Sequence, residues 1–489
     1  MQTGLKKSQL IPEDWGFGVS GSGELKIGNN SCVDLAKIYG TPLHIVDEHG
    51  LTATAENFLQ CFADVYPGQV SAHYAFKCNP VPGVIKIIRQ TGFKAEVMSE
   101  FELDLALWLG YKGRDIVVNG PFKPDGLLSA CIENDIRLVI VDSLPELQRL
   151  NILAGRLNKV VDILLRINPD YTPKGMNKGS ATGSRKGCSL GFDLKNGEGV
   201  KILDELPRMD HVHFDGFHFH IGTGIRRPDD YRKALVLLRD LMTETFNRGF
   251  EVKIIDIGGG FASARTWEMT TREMLLYQAM DRLPSIKTKP DKLGFKDFAK
   301  EVTKGISMIF PEGQWPELIT EPGRCIASSS QVLLLGVHQV KERAGLKNWL
   351  TTDGGIGTVT MPTFYEYHEV FLCNDVHRPR TEYMNINGPG CFASDMVYRN
   401  KYMPEIKPGE ILAIMDSGAY FTSWESNFGF PRPAVIAVAN GKHRLLRRRE
   451  TFDDMIGRDI LTNEKIINSL DYYERKIHRK GAKTLINIK

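Results

Sequence analysis

The sequence predicts an α/β fold, a closed (β/α)8 barrel of the TIM type joined to a mainly antiparallel β domain. Three observations carry this expectation. Eight short β-rich apolar runs follow one another between about residues 70 and 325, each ending in a polar or glycine position and followed by an amphipathic stretch. After 325 further apolar runs come without long helical stretches between them. A chain of 489 residues, 42% hydrophobic and 25% charged, can bury a large core and is neither disordered, collagenous nor a disulfide scaffold.

In chain order, residues 1–45, with ELKI at 24–27 and TPLHIV from Thr41, are expected to join the β domain before the chain enters a barrel spanning 46–325. The barrel strands are read at 71–77, 94–98, 115–119, 138–142, 162–168, 213–220, 252–257 and 317–321. PGVIKIIRQ from Pro82 and FELDLALWL from Phe101 place apolar residues at helical spacing. Two connections, 169–211 and 258–316, exceed a helix plus loop, and the polar, glycine-rich stretch from Pro173 to Gly187 is expected as a mobile loop. From 326 to 489 the runs at 331–340, 409–415 and 434–438 are read as strands, followed by a basic tail.

Charge and cysteine usage narrow the function classes. With 62 Lys+Arg against 59 Asp+Glu the net charge is too small to argue for nucleic acid, and the basic segment 441–489 with its run Arg447, Arg448, Arg449 reads as a solvated tail or subunit edge rather than a polyanion site. The eight cysteines form no C-x-x-C pair and no Cys/His metal spacing, so a reducing, cytoplasmic setting and no metal are expected. No window approaches the ~18 consecutive apolar residues of a membrane helix, and no membrane partner is expected.

Barrel chemistry collects where strands end, and here those ends carry Lys77, Glu96, Asn119, Asp142, Asn168, His220, Gly258 to Gly260, Glu321 and Arg324. A lysine partly desolvated at a barrel mouth can lose its proton and form an imine with an aldehyde; the alternative for Lys77 is an ordinary surface lysine. In HFHIGTG (218–224), His218 and His220 fall on one side of an extended strand. They could lie flat against a pyridine ring, bind metal, or be core histidines, and no third ligand at metal spacing follows. The glycine run of DIGGGF (256–261) follows strand seven, where barrels hold phosphate on bare N–H groups, although three glycines can also be only a tight turn. EPGR (321–324) offers a carboxylate for a pyridine nitrogen and a guanidinium for phosphate, or else a salt-bridged turn.

YAFKCNP around Lys77, then HFHIGTG, DIGGGF, EPGR, GPGCFASD (388–395) and GAY (418–420) come in order over residues 40–435, with VDSLPEL (141–147) and LRINP (Leu165 to Pro169) besides. This resembles the alanine-racemase-type barrel decarboxylases, the diaminopimelate, ornithine and arginine decarboxylases that use pyridoxal 5'-phosphate. The resemblance implies that Lys77 carries the internal aldimine, His220 stacks on the ring and Glu321 pairs with its nitrogen. It places Thr223, Gly258, Gly259, Gly260, Gly323, Arg324 and Tyr420 around the phosphate. It implies a head-to-tail homodimer in which Cys391 reaches the partner's site as the acid that reprotonates the carbanion.

Departures from the family bear on an amino-acid substrate contacted by Tyr365, Phe392 and Asp395. Phe392 stands where the family carries an acid, Met361 opens MPTFY where diaminopimelate enzymes show R-P-x-L-Y, and CSLG (188–191) replaces S-K-F-G. An apolar wall leaves a distal charge unpaired, at roughly several kcal/mol if buried. Diaminopimelate is therefore expected to be poor, leaving a basic amino acid, D-configured or not, whose amine meets another acceptor such as Glu366 or Asp395, or a larger conjugate. An amino-acid racemase is the alternative within the fold, and a non-catalytic cofactor carrier the alternative outside enzymes. Cys391 speaks against the first and the long segment after 325 against the second.

Overall fold

The computed structural model describes residues 10–176, 181–284, 294–360 and 362–459. The tail beyond 459, residues 177–180 of the glycine-rich loop and Met361 lie outside the described residues.

Eight parallel strands form the barrel: β1 (Val70–Ala75), β2 (Lys94–Val97), β3 (Ile116–Val118), β4 (Leu138–Val141), β5 (Val161–Asn168), β6 (Val212–His218), β7 (Ile254–Asp256) and β8 (Glu317–Thr320). Pairing runs around the ring, and β8 closes it on β1 with Leu318 opposite Val70. The expected strands all form, Val161–Asn168 one residue longer than expected and the others shorter by up to a few residues, mostly because the polar ends turn away into the mouth. Short pieces of helix or coil then carry the functional side chains.

Both expected helices form, at Pro82–Gln90 and Glu100–Trp108. Proline opens the first, where its missing N–H costs nothing, and Ser99 caps the second by accepting from Glu102 N. The first buries Val84, Ile85, Ile87 and Ile88 against the outside of the barrel, worth about 1.5–3 kcal/mol for each side chain. Inside the ring Val117, Leu138, Ile140, Leu164, Ile254 and Ile319 make a separate apolar layer. Polar groups at the C-terminal strand ends lie above it, and Lys94, Ser71 and Glu317 lie below.

The second sheet is built on Gln331–Lys341, antiparallel to Leu43–Asp47, Asn348–Thr352 and Ile411–Ile414. Leu43–Asp47 continues it in parallel with Ala434–Ala439, which pairs antiparallel with Lys442–Arg447. The N-terminal segment is tied to this sheet by Trp15, whose Nε1 donates to Asp416 at 3.0 Å.

The two long connections are more structured than the sequence suggests. In the first, Phe192–Asp193 adds a short strand beside β5, and Tyr171 N donates to Gly183 O at 2.7 Å. Met176 packs on Gly222, so the described part of the expected mobile loop is folded against the HIGTG turn. In the second, Trp267–Glu268 leaves the barrel and pairs antiparallel with Glu366–Tyr367 of the other domain. The arginine run is spent internally: Arg447 pairs with Glu425 at 2.6 Å, Arg448 with Asp454, and Arg449 donates to Pro42 O at 2.7 Å. Among the described residues no helix is long and apolar enough to cross a membrane.

Candidate active site

Lys77 sits in a single 3-10 turn, Phe76–Cys78, immediately after β1. Its Nζ lies 2.7 Å from Glu96 Oε2 on β2, with the lysine about 35% exposed and the glutamate buried. Burial pulls the ammonium down, but Glu96, then Glu321 and Tyr420, outweigh it and hold Lys77 above the ordinary lysine range. Burial alone is therefore not enough here to release the proton that an imine-forming lysine must lose. Desolvation alone frees the amine, whereas here the strand next door supplies a compensating carboxylate.

Glu321 follows β8 and is buried. Asn119 Nδ2 donates to both its oxygens at 3.2 and 3.3 Å, and His218 Nε2 lies 3.4 Å from Oε2. Asp256, ending β7, lies beside it and accepts from Gly258 N at 2.8 Å through Oδ1, with its other oxygen buried and its carboxyl facing Glu321. His218, Asp256 and Glu321 bring ligand atoms within 4.8 Å of one another, a metal-type donor set that sequence spacing did not reveal. Two carboxyl groups this close and this dry do not both ionise. Burial, then the Glu321 charge, pushes Asp256 well above the usual range. Burial also raises Glu321, but Lys77, Arg166 and a hydrogen bond from Asp256 pull it back. The proton therefore rests on Asp256, which donates to an ionised Glu321. His218 is held neutral by burial and by Arg166.

This arrangement sets a pH limit. Removing the donor with Asp256→Leu should raise Glu321 further, so the acidic limb of kcat/KM moves to higher pH. Activity at pH 6 should fall by roughly tenfold or more, as loss of a hydrogen bond to a charged group costs ~1.5–3 kcal/mol. Asp256→Asn keeps a donor and should keep the limb; equal shifts in both variants would refute the shared proton.

His220 lies past the end of β6, and its Nδ1 accepts from Gly259 N at 3.1 Å. Gly258 has φ +64, and a Cβ there would sit 2.7 Å from that nitrogen, so only glycine fits beneath the imidazole. Burial, then Arg166 and Lys77, keeps His220 neutral. The glycine run is a narrower nest than expected: Gly258 N is given to Asp256 and Gly259 N to His220, leaving the amide of Gly260.

Arg324 and Glu321 point apart, so EPGR is not a salt-bridged turn. The guanidinium is buried, with Nη1 2.6 Å from Glu366 Oε1, Nε 3.7 Å from Glu268 Oε1 and 3.4 Å from the Thr223 hydroxyl. It stacks 4.9 Å over the Tyr420 ring. Gly323 lets the turn press on the Lys77 turn, since a Cβ there would meet Cys78 Cβ at 2.8 Å. Tyr420 N donates to Cys78 O at 2.8 Å, so the second domain braces the same turn.

The residues read as substrate contacts divide. Tyr365 is half-buried beside Arg324, its hydroxyl raised by burial and by Glu366. Phe392 is 39% exposed and packs on Phe428 at 4.9 Å, next to the exposed Cys391. Asp395 is buried and spends its oxygens on the backbone N–H of Ile356 (2.7 Å) and Gly390 (2.5 Å). Glu366 is spent on Arg324 and His368. Neither stands open as the amine acceptor the sequence suggested. Asp142 accepts from Gly191 N and Asn168 Oδ1 from Asp170 N, so both fasten loops beside the mouth. Sequence reasoning missed Arg166, Asp256 and Glu268, although the first two lie inside quoted motifs.

A pyridoxal-dependent decarboxylase family model, that of the pyridoxal-binding domain, matches residues 51–328, more than half of the chain. The chain is 29% identical over 436 residues to diaminopimelate decarboxylase of Aquifex aeolicus, covering 89% of this chain and 95% of that protein. It is 28% identical over 444 residues to that of Methanocaldococcus jannaschii, covering 90% and 95%. A crystal structure of the M. jannaschii enzyme superposes with a TM-score of 0.80 at 26% identity, covering 93% of this chain and all of that one. The site fits pyridoxal phosphate: an amine at Lys77, a buried acid at Glu321, a flat neutral imidazole at His220, and an anion cradle of the Thr223 hydroxyl, the Gly260 amide and the buried Arg324 guanidinium. Geometry and likeness agree, and the chain belongs to the pyridoxal-phosphate-dependent decarboxylases.

Proposed function

We propose that the protein decarboxylates a basic amino acid whose far end is held differently from that of diaminopimelate. The observation carrying this reading is Phe392 packed on Phe428 at the Cys391 loop, with Asp395 and Glu366 both spent elsewhere. When bound, the cofactor supplies an electron sink that accepts the electrons left by departing CO2.

The chain's own residues do the rest. Lys77 supplies the amine at Nζ that attaches the cofactor, and Glu96 holds that nitrogen at the mouth while it is charged. Glu321, kept ionised by the proton on Asp256, would hold a proton at the ring nitrogen. His220, neutral and pinned by Gly259 N, would lie against the ring without adding charge. Thr223, Gly260, Gly323, Arg324 and Tyr420 are the residues to hold the phosphate, with Gly258 and Gly259 shaping the turn. Cys391 lies on an exposed loop that Asp395 anchors, and in a head-to-tail dimer it would act in the partner's site, donating its thiol proton to one face of the reacting carbon.

The same reading takes residues 46–325 as the cofactor-binding unit, flanked by 1–45 and 326–489, which share one sheet. It sets the protein in the cytoplasm, in keeping with eight free cysteines. A larger conjugate is the second reading, favoured by the exposure of Phe392 and Phe428.

The test is CO2 release from a panel of D- and L-lysine, ornithine, arginine, glutamate and meso-diaminopimelate. A mono-carboxylate basic amino acid should exceed diaminopimelate by at least about tenfold in kcat/KM, the ~1.4 kcal/mol expected of one unmet polar grip. Efficient turnover of diaminopimelate would overturn the reading of Phe392, and silence across the panel would favour the conjugate.

A further inference from the structure

The second long connection brings an unanticipated acid into the anion cradle. Glu268 is delivered by the ribbon Trp267–Glu268, where it pairs across from Glu366, and Met269 N donates to Tyr365 O at 2.7 Å. Its carboxyl lies flat on Gly224, where a Cβ would come within 2.2 Å of Glu268 Cδ. The Thr223 hydroxyl is within hydrogen-bonding reach of it, Arg324 Nε is 3.7 Å away, and Oε1 is buried without a hydrogen-bond donor. Thr223 and Arg324 are two of the groups that fit the cofactor phosphate. A carboxylate already sits where a dianion would bind, and two anions on one guanidinium repel.

We propose that Glu268 is a tethered competitor for the phosphate of the cofactor: its carboxylate occupies the Thr223–Gly224–Arg324 anion site, and phosphate enters by displacing it. The inference rests on the cofactor assignment and goes beyond it. Glu268 is paired to Glu366 and the next residue to Tyr365, so the competitor is carried by the strand that edges the substrate pocket.

Competition requires the charged form of Glu268. Burial raises this carboxyl above the usual range, with Arg324 opposing and Glu366 adding to the shift; Arg226, Thr223, Tyr365 and Tyr420 are the remaining groups facing the cluster. Protonation at low pH neutralises the competitor, and the competition appears as pH rises.

The experiment uses full-length protein freed of cofactor and compares wild type with Glu268→Gln by calorimetric titration. Three probes separate the contributions: sulfate, a dianion of constant charge; pyridoxal phosphate; and pyridoxal, which lacks the phosphate. At pH 8 the variant should bind sulfate and pyridoxal phosphate about tenfold more tightly than wild type, with pyridoxal unchanged. At pH 5.5 the difference should shrink towards twofold or less. Equal or weaker binding of both anions by the variant, or an equal gain for pyridoxal, overturns the proposal. Should the variant not fold, wild type alone decides, because its sulfate affinity must fall as pH rises and a flat profile refutes competition. Wild type that binds sulfate but not pyridoxal phosphate would instead undo the cofactor assignment, and the sulfate comparison would still judge Glu268.

Discussion

Lys77→Ala should abolish the visible absorbance that the cofactor aldehyde gains on attachment to a lysine, and should lower CO2 release by about a thousandfold or more. The magnitude combines loss of the covalent anchor with loss of a proton carrier, whose share alone is ~10²–10⁴. The residue cannot be replaced locally: its neighbours in the mouth are Glu96, Glu321, Asn119 and Tyr420, none of them an amine. The buried Lys123 is already fixed to Glu146 at 2.9 Å. Loss of Lys77 also strands Glu96 without its cation, so thermal stability in the absence of cofactor serves as the control. Full retention of the absorbance with bound cofactor would sink the assignment of Lys77.

Mixing inactive Lys77→Ala protein with inactive Cys391→Ala protein should restore up to about a quarter of the activity per site. If each site takes Lys77 from one subunit and Cys391 from the other, half of randomly reassorted dimers are mixed, and each mixed dimer holds one intact site. Cys391 lies on an exposed loop whose shape is fixed by Asp395, so truncating its thiol should leave folding alone. Exchange must be verified first, for instance with subunits of different mass. No recovery after exchange would place Cys391 in its own chain's site or outside the reaction.

The barrel was legible because each strand is short, apolar and punctuated by a polar residue, and because the stretches from Pro82 and Phe101 place apolar residues at helical spacing. The site residues were named where a motif marks them, as with the glycines of DIGGGF and EPGR, but that Gly258 lies under His220 and Gly323 against the Lys77 turn is seen only in the structure. Charge state was not legible. Whether a buried lysine keeps its proton depends on a carboxylate from the next strand, and nothing local to YAFKCNP says that Glu96 lies 2.7 Å away. Asp256 was overlooked because DIGGGF was read for its glycines, although the acid at its start shares the proton of Glu321. Glu268 was unreadable for a different reason. Its position depends on a two-residue pairing with Glu366–Tyr367, about a hundred residues further on, which no periodicity announces. Asp395 and Glu366 looked available as acceptors because a sequence does not show which acids the backbone and arginines have already taken.

The apolar layer of Val117, Leu138, Ile140, Leu164, Ile254 and Ile319 across the barrel has a bearing on traffic. It fills the ring beneath Lys77 and Glu321, so among the described residues the chamber is closed on the side of the barrel floor. Substrate, carbon dioxide and amine product must all pass the rim that carries Lys77, Arg324 and Tyr420. Whatever covers that rim, including a loop from a second subunit, therefore governs the rhythm of turnover as well as its chemistry.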